Sequence, residues 1–156
     1  MQKITPFLWF DQNAEEATNY YLSVFKDAKI NKILRWGDVG PGPKGSVLTI
    51  DMEIAGQSFT AMNGGTHQKL SPAFSFVVHC ESQEEVDYYW DKLGDGGQEL
   101  ACGWLTDKFG VSWQITPTRL LEMQEGESEK WERAMKAMME MVKLDIAKLE
   151  AAYEGK

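Results

Sequence analysis

The sequence predicts an α+β protein: two tandem β-α-β-β-β modules forming an open, curved mixed sheet, followed by a C-terminal helix. Two observations carry this prediction. An aromatic strand followed by a capped amphipathic helix occurs in the first half of the chain and recurs in the second. Each half then runs on into strands separated by glycine-containing turns.

In the first half, Phe7-Leu8-Trp9-Phe10 reads as a short strand. Asn13-Ala14-Glu15-Glu16 opens a helix, with Asn13 as cap and Glu16 placed to reach back to it. Ala17, Tyr20, Tyr21 and Val24 continue that helix at spacings of three and four. Residues 30–36, 47–53 and 57–62 read as strands, separated by a Gly/Pro-rich loop over 37–45 and a tight turn at Ala55-Gly56.

The second half repeats the phrase. Phe76-Val77-Val78 is the strand, Ser82-Gln83-Glu84-Glu85 the capping box, and Val86, Tyr89, Trp90 and Leu93 the helix. One constant offset pairs Phe7 with Phe76, Glu15 and Glu16 with Glu84 and Glu85, and Tyr20 with Tyr89. Strands over 98–105 and 111–116 flank a turn at 106–110, and Gly56-Gln57-Ser58-Phe59 lines up with Gly110-Val111-Ser112-Trp113. A half of this size does not bury its sheet alone, so the two are expected to join.

After Pro117 come a short helical segment at 119–123 and a polar turn around Gly126. One helix is then expected from Glu127 onward, with Trp131, Met135, Met138, Val142, Ile146, Leu149 and Tyr153 on one stripe. The expected organisation is a domain over 1–121, with modules at about 4–63 and 72–116, and a helical extension over 122–156.

Composition narrows the function. Twenty-four acidic against sixteen basic residues give a net charge of −8 with no local Lys/Arg cluster, which disfavours nucleic acid. No apolar run approaches the roughly 20 residues that span a bilayer, so no membrane partner is expected. Residues 1–6 lack the charged-then-apolar pattern of a secretory leader, and the expected location is the cytoplasm. Cys80 and Cys102 form no CxxC pair and read as buried thiols.

Several stretches carry a family resemblance. They are Arg35-Trp36-Gly37, Gly40-Pro41-Gly42-Pro43-Lys44-Gly45-Ser46-Val47 and Gly56-Gln57-Ser58-Phe59-Thr60-Ala61-Met62-Asn63-Gly64-Gly65. To these add Glu84-Glu85-Val86-Asp87-Tyr88-Tyr89-Trp90 and the run from Cys102-Gly103-Trp104 to Trp113-Gln114-Ile115. In this order they resemble the PhnB-like, or demethylubiquinone 3-methyltransferase-like, branch of the vicinal-oxygen-chelate (glyoxalase) superfamily, from about residue 4 to 121. The resemblance implies a cup-shaped sheet, often paired in a homodimer, and no single activity.

Metal-dependent members of that superfamily draw ligands from the first and last strand of each module. The resemblance puts those positions at Thr5, Thr60 (or Ala61), Phe74 and Gln114. Thr and Gln are weak neutral donors and Phe is none, so no metal is expected. His79 reads as a helix-facing or strand-end residue, and His67 as a solvated loop residue, with overhang of the cup as the alternative. The 37–45 loop leads into a strand, so it is neither a nucleotide-type glycine turn nor a P-loop; it reads as a plain connection or a lid.

No cofactor is expected. What remains is a candidate ligand-binding set: Thr5, Phe7, Trp9, Thr60, Met62, Phe74, Phe76 and Gln114, sharing one face with Ser112 and Thr116. The alternative is that the aromatics simply fill the core; Trp36 and Trp104 are possible further walls. The functional expectation is a metal-free cup that binds a small, partly apolar molecule. The alternative is an enzyme acting on a small carbonyl, quinone or phosphonate-like substrate, for which no Asp, Glu or His maps to the centre of the cup. A homodimer using part of the tail stripe is expected as well.

Overall fold

The structure is a computed structural model that describes residues 2–156; Met1 lies outside them. The chain divides into two compact units, Met1–Leu70 and Ser71–Lys156.

In the first unit, strand β1 (Phe7–Phe10) leads into helix α1 (Ala14–Val24), followed by β2 (Ala28–Arg35), β3 (Val47–Ile54) and β4 (Gln57–Asn63). The sheet order is β1-β4-β3-β2, with β1 parallel to β4 and the other pairs antiparallel. Alternation along β1 and β4 turns Leu8, Phe10, Phe59 and Ala61 inward to the core that α1 covers. Phe7, Trp9, Thr60 and Met62 are left on the opposite, open face. From α1, Ala14, Ala17, Tyr21 and Val24 are buried, the larger two contributing about 1.5–3 kcal/mol each. The Ala55-Gly56 turn has positive φ at both residues, 50° and 76°, as a two-residue hairpin turn requires.

The cap of α1 differs from expectation. Asn13 makes no side-chain cap bond. The Ala14 amide instead donates to Asn63 Oδ1 at 2.9 Å, and Asn63 Nδ2 donates to the Val47 carbonyl at 3.2 Å. A residue from the end of β4 therefore caps the helix and ties it to the sheet.

The second unit holds β5 (Ser75–Cys80), helix α2 (Gln83–Gly94), β6 (Gln98–Glu99), β7 (Trp104–Thr106) and β8 (Ser112–Pro117), in the sheet order β5-β8-β7-β6. Ser82 Oγ accepts from the Glu85 amide at 3.2 Å, as expected, but the Glu85 carboxylate accepts from Glu81, one residue before the cap. The strand expected over 98–105 is interrupted by a 3-10 turn at Ala101–Gly103, where Cys102 (φ 61°) and Gly103 (φ 80°) are left-handed. A side chain at Gly103 would also collide with Leu144.

The register of β5 corrects the face assigned to it. Val77 pairs with Gln114 and Ser75 with Ser112, so Phe76 pairs with Trp113 on the buried side, with ring centroids 5.3 Å apart. Ser75, Val77 and His79 share the open face with Gln114 and Thr116. The counterpart of Phe7 is thus Val77, not Phe76, and that of Thr5 is Ser75, not Phe74. The cause is one residue of loop: Asp11-Gln12-Asn13 separates β1 from α1, but only Glu81-Ser82 separates β5 from α2. An offset taken from the helices is therefore one residue out in the strand, and one residue exchanges its two faces.

The tail also departs from the single expected helix. It forms α3 (Thr118–Gln124), α4 (Ser128–Met139) and α5 (Ile146–Glu154). At the break, the Met141 and Val142 carbonyls accept from the Cys102 and Gly103 amides at 2.9 and 2.8 Å. Gln83 accepts from the Ile146 amide and donates to the Leu144 carbonyl, and Asp145 caps α5 through the Lys148 amide. Leu144, off the expected stripe, joins Leu120, Met123, Ala134 and Leu149 in a core against which Trp131, Met138 and Tyr153 pack. Met135 and Val142, on the stripe, remain exposed. Among the described residues no helix is long and apolar enough to cross a membrane.

Candidate functional site

A cavity of about 610 Å³ opens in the first unit, beyond the C-terminal ends of β1 and β4. Its floor is Trp9 and Met62, paired across those strands, with Leu48 of β3 beside them. One wall is the loop between β2 and β3, with Trp36, Gly42 and Pro43; another is the chain after β4, with Gly64, Gly65 and His67.

Each tryptophan is fixed by glycine backbone. A Cβ at Gly64 would fall inside the Trp9 indole, and Trp9 Nε1 donates to the Gly65 carbonyl at 2.9 Å. A Cβ at Gly40 or Gly42 would fall inside the Trp36 indole, so the Gly/Pro-rich loop folds flat against that ring. The loop is closed by Trp36 N to Ser46 O at 2.9 Å and Gly45 N to Trp36 O at 2.8 Å, and Arg35 donates to the Gly45 carbonyl at 3.1 Å. His67 stands edge-on to Trp9, with centroids 5.3 Å apart and planes at 71°.

No Asp, Glu, Lys or Arg lines this cavity. Asn63 has its amide engaged in the sheet-to-helix strut, and Ser46 Oγ donates to the Pro43 carbonyl. Among the described residues, Gln12, Trp36 and His67 line it with side chains that have no protein hydrogen-bond partner. On the same open face, one alternation step along the sheet from Met62, Thr60 donates to Asp51 Oδ1 at 2.8 Å. Asp51 sits opposite Lys32 in the β2–β3 register.

Of the expected ligand-binding set, the cavity brings together Trp9 and Met62. Phe7 and Thr60 lie on the same open face outside it, and Thr5 is exposed ahead of β1. Gln114 is on the open face of the second sheet, where its Nε2 donates to Ser75 Oγ at 3.0 Å. Phe76 is on the other side of that sheet, and Phe74 is exposed against its edge, with centroids 5.2 Å apart. His79 is exposed on the open face near the end of β5, so of the two expected placements the structure has the strand-end one and not the helix-facing one. Trp36 lines the cavity as a wall, and His67, exposed in its loop as expected, also stands edge-on to Trp9. Asp51, which sequence reasoning did not single out, faces the same side of the sheet as Thr60, outside the cavity. The polar alternation Thr49, Asp51, Glu53 against Ile50, Met52, Ile54 was its signal.

Cys80 is buried, and burial, with Glu85 adding repulsion, pushes its thiol up to about 12. Cys102 is only half-buried, contrary to the expectation for both thiols.

With the register corrected, the positions that the resemblance gives for metal ligands carry Thr5 and Thr60 in the first unit and Ser75 and Gln114 in the second, neutral hydroxyl and amide groups. Among the described residues no three of His, Cys, Asp or Glu cluster as a metal site would need. Neutral donors of these kinds do not fit a divalent first-row metal.

Two tandem β-α-β-β-β modules, each with its own four-stranded mixed sheet, define a protein of the vicinal-oxygen-chelate (glyoxalase-like) fold class. The chain belongs to the 3-demethylubiquinone-9 3-methyltransferase (PhnB) family, which matches residues 2–116. A PhnB protein of Bacillus cereus carrying that family name is 39% identical, covering 74% of this chain and 99% of its own, with a TM-score of 0.68. A Pseudomonas aeruginosa protein (19% identity, 75% and 98% covered, TM-score 0.63) shares the fold. So does the fosfomycin resistance protein FosX of Mesorhizobium loti (17%, 78% and 99%, TM-score 0.50). No curated protein matches the chain.

The family name implies a methyl donor such as S-adenosylmethionine. The connections Asp11-Gln12-Asn13 and Glu81-Ser82 contain no glycine, β8 runs directly into α3, and the glycine-rich loop joins two strands. These residues do not fit the usual turn for such a cofactor.

Proposed function

We propose that the protein binds a small, partly apolar molecule in the cavity of its first module, without a metal. The observation that carries this reading is the pair of indoles, Trp9 and Trp36, each pressed onto glycine backbone at the same cavity. A volume of about 610 Å³ lies in the range of small-molecule sites, roughly 300–1,000 Å³. Rings held from behind do not need to be ordered when a ligand arrives, so little affinity is lost to organising the walls.

Calorimetric titration with a panel of quinones, phosphonates and dicarbonyl–thiol adducts tests it, using Trp9→Ala and Trp36→Ala as comparisons. Binding that either substitution abolishes supports the reading. A panel that binds equally to all three proteins sinks it.

The second reading, an enzyme acting on a small carbonyl, quinone or phosphonate-like substrate, is favoured by the Thr60–Asp51 hydrogen bond near Met62. Turnover by metal-free protein that Asp51→Asn removes would select it over plain binding. A homodimer in the cytoplasm remains part of the proposal, supported by the exposed apolar Met135, Met139 and Val142. A monomer by light scattering at micromolar concentration would count against the dimer.

A further inference from the structure

The two indoles set the shape of a ligand, and the polar groups beside them set its chemistry. In a chain with eight more acidic than basic residues, the cavity is lined by no carboxylate. Trp36 Nε1 can only donate, and His67 and Gln12 each bring at least one N–H. A ligand that covered these donors without offering acceptors would strip them of water and return nothing.

We infer that the cavity selects a flat ring bearing an acceptor oxygen, a carboxylate or a ring-conjugated carbonyl, over a cation of the same size, with His67 and Trp36 Nε1 as the donors that hold it. This rests on the binding reading above and adds the sign and the donors.

The opposing attraction is real and makes the inference testable. Tryptophan faces attract cations, and a net charge of −8 draws them from a distance. A cation site gains from negative charge beside its ring faces, and this cavity offers rings and neutral polar groups but no carboxylate. One face of each indole is already occupied by glycine backbone, and His67 stands against Trp9. Long-range attraction is largely screened beyond roughly 8 Å at physiological salt, so local donors decide the preference.

Three probes of one size and different charge separate the terms: 2-naphthoate, 2-acetonaphthone and N-methylquinolinium, titrated calorimetrically at physiological salt. The naphthoate is expected to bind the unmodified protein at least roughly tenfold tighter than the quinolinium, as one charge-assisted hydrogen bond allows. His67→Phe keeps a ring against Trp9 and removes the N–H groups, so it should shrink that ratio while changing acetonaphthone binding less. Trp36→Phe keeps a flat wall and removes its donor, so it should weaken both oxygen-bearing probes. His67 is exposed in a loop, so its substitution leaves the fold intact.

Equal or tighter binding of the quinolinium, or a ratio that His67→Phe leaves unchanged, would overturn the inference and leave the binding reading standing. Failure of all three probes to bind the unmodified protein would overturn both.

Discussion

Gly42 lies against the Trp36 indole so closely that a single added methyl group would occupy the ring. Its φ is not left-handed, so the indole alone forbids a side chain there. Gly42→Ala is expected to displace Trp36 and weaken binding of 2-acetonaphthone about as much as Trp36→Ala does. The double variant should be no worse than either single one, because both remove the same wall. A calorimetric double-mutant cycle checks this, and additive losses would show that loop and ring act separately.

Leu144 is 1% exposed at the turn between α4 and α5, in a core shared by three tail helices. Leu144→Ala is expected to destabilise the second unit by about 2–5 kcal/mol, read as a lower urea midpoint. Met139→Ala, at a residue 66% exposed, should change it by less than about 0.5 kcal/mol. Equal effects would mean that the tail packs differently.

Asp107 is a buried carboxylate that organises the turn before β8. It accepts from the Phe109 and Val111 amides at 2.9 and 3.0 Å, and from Trp113 Nε1 at 2.9 Å. In Asp107→Asn an amide group must face one of these donors, and one N–H loses its acceptor. A cost of about 1–3 kcal/mol in thermal unfolding is expected, with loss of the intrinsic circular dichroism of the buried indole.

Cys80 predicts an alkaline limit to stability. Burial, with Glu85 second, raises its thiol from 9.0 to about 12, so the folded chain holds this proton where the unfolded chain releases it. The unfolded state binds fewer protons across that interval, so stability is unchanged by this group below pH 9 and falls from there toward pH 12. Raised Tyr89, which burial and then Glu85 shift, acts in the same direction from a higher starting value. Melting temperatures between pH 8 and 10.5 should fall less steeply for Cys80→Ala than for the unmodified protein. Parallel curves would show that the thiol is not the group responsible.

Periodicity made the modules legible. The two-residue alternation of Leu8/Phe10 against Phe7/Trp9 and the Ser82 cap were enough to place β1, β4 and α2. Periodicity says nothing about loops, and the site is largely loop. Trp36 and His67 reach it through the chain on either side of β3 and β4, where no repeating pattern fixes direction. The local signal was chemical: glycines beside a tryptophan at Gly40 and Gly42, and again at Gly64, mark backbone lying flat on a ring. The tail break was hidden for a related reason. No glycine or proline interrupts 140–145; the helix ends because Cys102, Gly103 and Gln83 capture its backbone groups from elsewhere in the second unit.

The connection between strand and helix is one residue shorter in the second module than in the first. In a duplicated protein such a difference acts like turning a glove inside out. With almost no change in composition, every side chain on the strand trades places with its neighbour, and what was presented outward becomes structural filling. The first module presents Phe7 and Trp9 outward, while the second buries Phe76 against Trp113 and presents Ser75, Val77 and His79. One copy is thereby released to keep an aromatic surface while its twin diverges, so the two halves can be altered independently when the specificity of this fold is redesigned.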